Sequence, residues 1–304
     1  MELEALAPWR DRARFDVPGL SAPVVVGCSG GADSVALLAL AVDAGLAPVA
    51  VHVDHRLREG SDTDADAVCS VAAALGAGFH AARVSIPPGG NVEARARSAR
   101  YDALRRARDD VRASVVLVGH TQDDQAETVL LNLLRGSAAA GLAGMAHERD
   151  GIVRPLLGMR RAETRELCAQ LGLAVVSDPM NDDHAFRRVA VRHDVLPLLE
   201  SIAGRDLVPV LARQSDVFRE ESQFLDELAV AAWPGERGAS TSELRALPPV
   251  LAQRAVRCWL GPPPPSRAEV QRVLDVARGV ARATELTGGR VVRRAEGRLL
   301  VEAR

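Results

Sequence analysis

The sequence predicts an α/β protein: a Rossmann-like parallel sheet with helices on both faces, then a helical connector and a small C-terminal α+β domain. Three observations predict it. Short β-branched runs alternate with helix-length stretches over the first 180 residues, the pattern of a parallel sheet. Polar and glycine-rich clusters follow those runs, where ligands bind in such sheets. Beyond Asp194 the alternation stops and amphipathic helical stretches take over. The expected domains are residues 1–200, 201–240 and 241–304.

The elements are expected in this order. PVVVGC (residues 23–28) reads as a strand, with a helix from about Asp33. APVAVHVD (47–54) precedes a helix near 62–75, FHAARVSI (79–86) one near 92–108, and ASVVLVGH (113–120) one near 124–134. GIVRPLL and LAVVSD read as further strands separated by a helix at 161–171. Residues 195–230 read as helical, and WPGERGAS (233–240) as a linker. Helices near 248–260 and 267–278 flank the breaker GPPPPS, and a hairpin pairs 291–294 with 298–302 across an Ala-Glu-Gly turn.

Composition narrows the function classes. The 304 residues are 47% hydrophobic, enough for a main domain and a smaller one, but only 3% aromatic, so the cores fall to Ala, Val and Leu. The longest apolar runs, such as Val35–Val42, are too short to cross a bilayer, and the N-terminus lacks an apolar h-region. The expectation is a cytoplasmic protein without a membrane partner. Cys28, Cys69, Cys168 and Cys258 form no C-x-x-C pair and are expected to be reduced and mostly buried. The net charge is −2, yet residues 242–304 carry 12 Arg against 6 Asp+Glu, a local +6 that leaves −8 for the rest. Such a tail is either a polyanion footprint or a solvated face. All 38 basic residues are arginine. No Walker lysine, Schiff-base lysine or lysyl-adenylate on the protein is therefore available.

Six motifs carry chemistry. In Ser29-Gly30-Gly31-Ala32-Asp33-Ser34 the glycines let the backbone approach a ligand, and the amides of the first helical turn form an anion site. Asp33 beside an anion makes sense if Mg²⁺ lies between them. In HVDHRLR (52–58) His52 reads as structural, while His55, just past the strand, is the better site candidate. In NVEARARSARYDAL (91–104) Arg97 and Tyr101 lie one turn apart, on either a salt-bridged surface helix or an arginine rim for a phosphate backbone. In GHTQDDQAETVLLNLLRG (119–136) Asp124 and Glu127 share a face, and Asp123 and Glu127 could also converge. Acids there are stabilised by the helix dipole in any case, and the cluster can hold Mg²⁺ or a cationic substrate. RPLL (154–157) and SDPMNDDHAFRRVAVRHDVLPLL (177–199) complete the set.

The strand–SGGADS–helix segment resembles the PP-loop of the N-type ATP pyrophosphatases. That resemblance implies a loop holding the β,γ-pyrophosphate of ATP and cleavage at the α-phosphorus. The ordered set SGGADS, HVDHRLR, NVEARARSARY, GHTQDDQAETVLLNLLRG, RPLL and DPMNDDHAFRR resembles the tRNA(Ile)-lysidine synthetases over about two-thirds of the chain. LPPVLAQRAVRCWL and LTGGRVVRRAEGRLLVE are similar, more weakly, to that family's small tRNA-binding domain. What the resemblance implies is ligation of free L-lysine to the wobble cytidine of a CAU-anticodon tRNA(Ile), with ATP giving AMP and pyrophosphate. Ser29, Gly30, Gly31, Ala32, Asp33, Ser34, His55 and His120 would bind ATP. Asp33, Asp124 and Glu127 would be catalytic, with Asp124 and Glu127 holding lysine. Arg97, Arg188 and Arg192 would meet tRNA, and Asp33 with Asp123 would hold Mg²⁺. A homodimer is left open. One departure is visible: the family's Arg-Asn-x-[Leu/Ile/Val]-Arg stands here as Arg188-Val189-Ala190-Val191-Arg192. The rival readings are a tRNA thiolase, which would need cysteine pairs, and a nucleotide-binding module without catalysis, which would need no acidic cluster.

Overall fold

The computed structural model describes residues 6–54, 61–85, 92–176, 187–235 and 239–303. The chain divides into two compact units, Met1–Ser215 and Asp216–Arg304.

The first unit opens with a short helix, α1 (Ala7–Arg10), that buries Trp9. It then alternates β1 (Val24–Gly27), α2 (Ala32–Asp43), β2 (Pro48–Asp54), α3 (Ser61–Leu75), β3 (Gly78–Arg83), α4 (Val92–Asp110), β4 (Val116–Val118) and α5 (Gln122–Leu134). After α6 (Ala139–Leu142) come β5 (Glu148–Arg149), β6 (Ile152–Val153) and α7 (Arg161–Gln170). The strands form one sheet in the order β3-β2-β1-β4-β6-β5, parallel except for the β5–β6 pair.

Strand period 2 explains the layering. Val24 and Val26 pack with the apolar run Val35–Ala41 of α2, and Val25 faces the other way onto Leu104 of α4. Both faces of β1 are covered, so all four of its residues are buried. α2 is apolar on nearly every side and lies inside the fold. Between β1 and β4 the strand order reverses, and the segments that follow these two strands meet there. That switch point is where open α/β sheets bind ligands.

The expected strand–helix order holds through α7, with two departures. LAVVSD is not a strand over residues 173–176. Instead the Val176 amide donates to the Gly30 carbonyl at 2.9 Å, tying this stretch to the loop after β1; Ser177 and Asp178 lie outside the described residues. GIVRPLL contributes only β6, because Pro155 opens a 3₁₀ turn and brings no amide to a ladder. The helical run expected over 195–230 begins earlier and breaks once. α8 (Arg187–Ala190) passes through a π-helical turn at Val191–Val195 into α9 (Leu196–Ala203), which ends on Gly204 at φ +63°. α10 (Val208–Ala232) follows, and the division between the units falls within it.

The second unit carries an antiparallel sheet ordered β7-β10-β9-β8. Its elements are β7 (Ala239–Ser240), α11 (Thr241–Ala246), α12 (Pro249–Leu260), α13 (Arg267–Arg278), β8 (Ala283–Leu286), β9 (Arg290–Ala295) and β10 (Arg298–Ala303). The expected hairpin is β9–β10; β8 and the edge strand β7, inside the stretch read as a linker, are additions. A Ser266–Glu269 capping box starts α13. Several arginines of this basic segment hold the unit together. Arg290 donates to the carbonyls of Leu260 and Pro263, Arg254 pairs with Asp226, and Arg293 pairs with Glu302. No described helix is long and apolar enough to cross a membrane.

Candidate active site

The loop after β1 is built around Gly30 at φ +86°, where a Cβ would stand 2.8 Å from Cγ2 of Val176. Both the backbone angle and the contact require glycine there. Gly31 N-caps α2 without a side-chain cap, so the amides of Ala32 and Asp33 have no helical acceptor and are available to an anion. The Ser34 hydroxyl works inside the loop, donating to the Gly31 carbonyl at 2.9 Å and accepting from the Ser29 amide at 3.2 Å. His52 stands beneath, with Nδ1 3.1 Å from the Cys28 carbonyl, which is the structural role read from the sequence.

The loop forms one wall of a cavity of about 790 Å³. The opposite walls come from the end of β4, the start of α5, α7, and the segment around α8. The cavity gathers Ser29, Gly31, Ala32, Asp33 and Ser34 with His120, Asp123 and Asp124, and also Arg97, Arg188 and Arg192. Gly30 turns its carbonyl away to Val176 and Glu127 lies beneath the surface, so neither lines it. His55 lies outside the described residues. Val189, in place of the family's asparagine, is buried at 6% exposure and offers no polar group to the cavity.

Gly119 makes the close approach of the two walls possible. A Cβ there would stand 2.8 Å from the Asp33 carbonyl oxygen and 3.1 Å from the Ser34 amide nitrogen, all backbone that cannot give way. Gly119→Ala is therefore expected to push the end of β4 off the first turn of α2. Nucleotide affinity should fall on the order of tenfold, since overpacking strain of ~1–3 kcal/mol lands on the anion site. Isothermal titration with ATP checks this, and unchanged affinity would count against the loop as the nucleotide site.

The carboxylates differ sharply in surroundings. Asp123 accepts at both oxygens, from Nε of Arg160 at 3.2 Å, Nη2 of Arg160 at 3.3 Å and the Arg161 amide at 2.8 Å. Asp124 closes a capping box with Thr121 and accepts from Nη2 of Arg161 at 3.0 Å. Burial alone would raise its pKa, but the Arg188 and Arg161 guanidiniums outweigh burial and hold it at about 2. Glu127, with 1% of its side chain exposed, accepts from Nε of Arg188 and Nε of Arg192, each at 2.7 Å, and from Nη2 of Arg161 at 3.1 Å. Asp33 has weaker company: Thr164 donates to Oδ1, and Nε of Arg161 stands 3.7 Å from Oδ2. Burial pushes its pKa up to about 6, and the Asp124 charge adds to the rise against Thr164 and Arg161.

His120 is held neutral. Burial lowers its pKa to about 3; Asp124 opposes the shift, while Arg188, Arg154 and Arg97 reinforce it. Its Nδ1 is buried with no hydrogen-bond partner, which favours the tautomer with the proton on Nε2. Arg161 organises this site and was not singled out from the sequence, nor were Arg100, Arg160, Thr164 and Arg165. Arg100 and Arg165 line the cavity too, with no ion pair among the described residues. The one signal was the doublet Arg160-Arg161 at a helix start, where a cation opposes the dipole and so calls for acids nearby.

Fold and loop together define a PP-loop enzyme domain, and known proteins agree. The PP-loop domain family matches residues 14–199, and the TilS substrate binding domain matches residues 240–300. A tRNA(Ile)-lysidine synthase of Nocardia farcinica is 46% identical over 250 residues, covering 80% of this chain and 77% of that protein. One of Rhodococcus erythropolis is 46% identical over 78% of this chain and 73% of that protein. Among solved structures, the U34-tRNA thiolase NcsA from Methanococcus maripaludis superposes with a TM-score of 0.57 at 18% identity, covering 72% of this chain and 77% of that one. At that identity the likeness shows the fold alone. The chain belongs to the tRNA(Ile)-lysidine synthase family. No group of three His, Cys, Asp or Glu side chains suited to a metal occurs among the described residues; Cys28 and Cys168 are buried, but Cys69 and Cys258 are exposed, against the expectation of mostly buried thiols.

Proposed function

We propose that this chain joins free L-lysine to C2 of the wobble cytidine of a CAU-anticodon isoleucine tRNA, using ATP and releasing AMP and pyrophosphate. The observation that carries this reading is one cavity holding an anion-binding loop, a neutral histidine and a charged aspartate among arginines. Cytidine O2 attacks the α-phosphorus of ATP and pyrophosphate leaves. The lysine amine then attacks C2, the C2–O bond breaks, AMP departs, and the amine gives up its protons to water. Binding and charge stabilisation are the protein's tasks.

In this reading the backbone of Gly31, Ala32 and Asp33, with Ser29 and Ser34, receives the pyrophosphate end, Gly30 shapes the turn, and Arg100 and Arg165 neutralise the charge. His120 donates from Nε2 to a phosphate or base oxygen. Asp124 stays charged at any physiological pH, which suits holding the lysine ammonium rather than taking its proton. Glu127 acts from beneath by holding Arg188 and Arg192, which with Arg97 face the tRNA.

Mg²⁺ fits one carboxylate of the expected pair. Asp33 Oδ2 accepts no close hydrogen bond, with Nε of Arg161 3.7 Å away, and its desolvated charge is one a metal would relieve, whereas both oxygens of Asp123 are engaged. Magnesium sites with nucleotides often take one carboxylate plus phosphates and water. Held by Asp33, the ion would neutralise charge on the departing pyrophosphate. Residues 1–200 carry the chemistry, 201–240 connect, and 241–304 serve tRNA binding. We read the reaction as cytoplasmic, where free ATP, L-lysine and tRNA occur together.

The test is pyrophosphate release with ATP, L-lysine and the tRNA transcript, leaving out one component at a time. Sustained release is expected only with all three, together with lysidine in the tRNA. Nucleotide binding without turnover would instead support a non-catalytic module.

A further inference from the structure

We propose that a groove beside the active-site cavity holds a backbone phosphate of the tRNA strand that enters it, on Arg105, Arg149 and Arg154 grouped around Tyr101. The proposal rests on the reading of function above and names a contact which that reading leaves unassigned. The groove, of about 370 Å³, lies between α4 and the β5–β6 hairpin. Four guanidinium groups line it, those of Arg97, Arg105, Arg149 and Arg154, against the single carboxylate of Asp150. Arg97, Tyr101 and Arg105 are four residues apart on α4 and so share one face.

Arg154 is the informative member. It opens the RPLL motif, for which the chemistry above has no use. It is 8% exposed, donates Nη1 to the Ala146 carbonyl at 2.8 Å, and has Nε buried without a partner. No carboxylate among the described residues pairs with it. Desolvation pulls its pKa down, the mark of a cation short of a counter-charge. A buried guanidinium is normally paired; here the open groove is where its anion would come from.

The other arginines are held loosely enough to exchange partners. Cζ of Arg97 stands 5.0 Å from the Tyr101 ring centroid with Nη2 3.2 Å from its hydroxyl, and Cζ of Arg105 stands 6.0 Å from the ring. Arg105 meets Asp102 at 3.3 Å, and Arg149 meets Asp150 at 3.5 Å with both side chains 74% exposed. Exposed pairs of this kind are weak. Planar guanidinium forks suit a phosphate with two oxygens presented. Continuity points to the tRNA strand over a free nucleotide. Arg97 lines the groove and the main cavity alike, so an anion here adjoins whatever occupies that cavity.

The experiment titrates unmodified CAU-anticodon tRNA(Ile) transcript onto the full chain over a range of KCl concentrations, with ATP binding measured in parallel. The double variant Arg105→Gln/Arg149→Gln is expected to bind tRNA on the order of tenfold more weakly. The slope of log K against log salt should fall by about 0.7–1, one phosphate's share, with ATP affinity unchanged. Arg154→Gln is expected to weaken tRNA binding with a melting temperature at or above wild type, because it removes an uncompensated buried charge. A double variant with wild-type affinity and slope overturns the proposal, as does an Arg154→Gln protein that melts lower yet binds tRNA normally. If the wild type itself neither binds the tRNA nor releases pyrophosphate with it, the reading of function fails; if it does both and the variants match it, only the groove fails.

Discussion

Glu127→Ala is expected to lower the stability of the first unit by about 3–5 kcal/mol, the usual effect of removing one partner from a buried ion pair. Its carboxylate is 1% exposed and carries close contacts from Arg188, Arg192 and Arg161. Without it Arg188, Arg192 and Arg161 lose their closest shared carboxylate, and Asp124, with Asp33 3.7 Å from Arg161, is left to balance them. For a unit of this size the melting temperature should fall by roughly 10 °C, readable by calorimetry. Glu127→Gln should fall nearly as far, because the amide keeps the shape but not the charge. Adding Arg192→Gln to Glu127→Gln should recover part of the loss, giving a coupling energy well above the ~0.5 kcal/mol of independent sites. A residue that only touched lysine would behave differently, raising the lysine KM while leaving the melting temperature alone. An unchanged melting temperature for Glu127→Ala would sink the arginine-holding role.

That assignment also marks the limit of reading the sequence. The Asp-x-x-Glu spacing at the start of α5 correctly placed two carboxylates on one face near the strand ends, because helix periodicity is local. What those carboxylates touch is not local. Arg161 lies 34 residues from Glu127 and 37 from Asp124, and Arg192 lies 65 from Glu127. In a chain whose 38 basic residues are all arginine, no pattern distinguishes the few that fold back onto the acids. The π-helical turn at Val191–Val195, next to Arg188, is likewise invisible to a 3.6-residue period.

The centre of the sheet was legible because its strands are buried on both faces. The Val24–Gly27 and Val116–Val118 runs are apolar throughout and sit at the centre, so composition alone marks them. Strands β5 and β6 have two residues each, too few for any alternation, and the turn between them is set by Asp150 at φ +56° and Gly151 at φ +73°. LAVVSD has strand composition, yet Val176 spends its amide on Gly30. The apolar stretch is there to back the loop, where the Gly30 position leaves no room for a Cβ. The loop motif was therefore readable, but the segment that supports it was not.

Asp33→Asn is expected to do the opposite of Glu127→Ala: to stabilise the protein while abolishing pyrophosphate release. The Asp33 pKa is raised from 3.8 to about 6, chiefly by burial. A raised carboxyl pKa means the folded state binds more protons than the unfolded state between these values, so stability falls as pH rises through that window. Above about pH 6 the charged side chain costs the fold about 2–3 kcal/mol, from ~1.4 kcal/mol per unit of pKa. Asparagine keeps an oxygen for the Thr164 hydroxyl and carries no charge to desolvate, so Asp33→Asn should melt ~5–10 °C higher at pH 7.5. The gap should close as pH falls from 6 toward 4, where the wild-type carboxyl is already neutral. Asp124, held at about 2, works in the reverse sense, stabilising above its unfolded pKa and losing that contribution only as pH falls toward 2. It therefore does not confuse the comparison near neutrality. A buried charge retained at a stability cost is the signature of a group kept for its chemistry. Two results would break this account of Asp33: an Asp33→Asn protein that is less stable than wild type at pH 7.5, or one that still releases pyrophosphate at the wild-type rate.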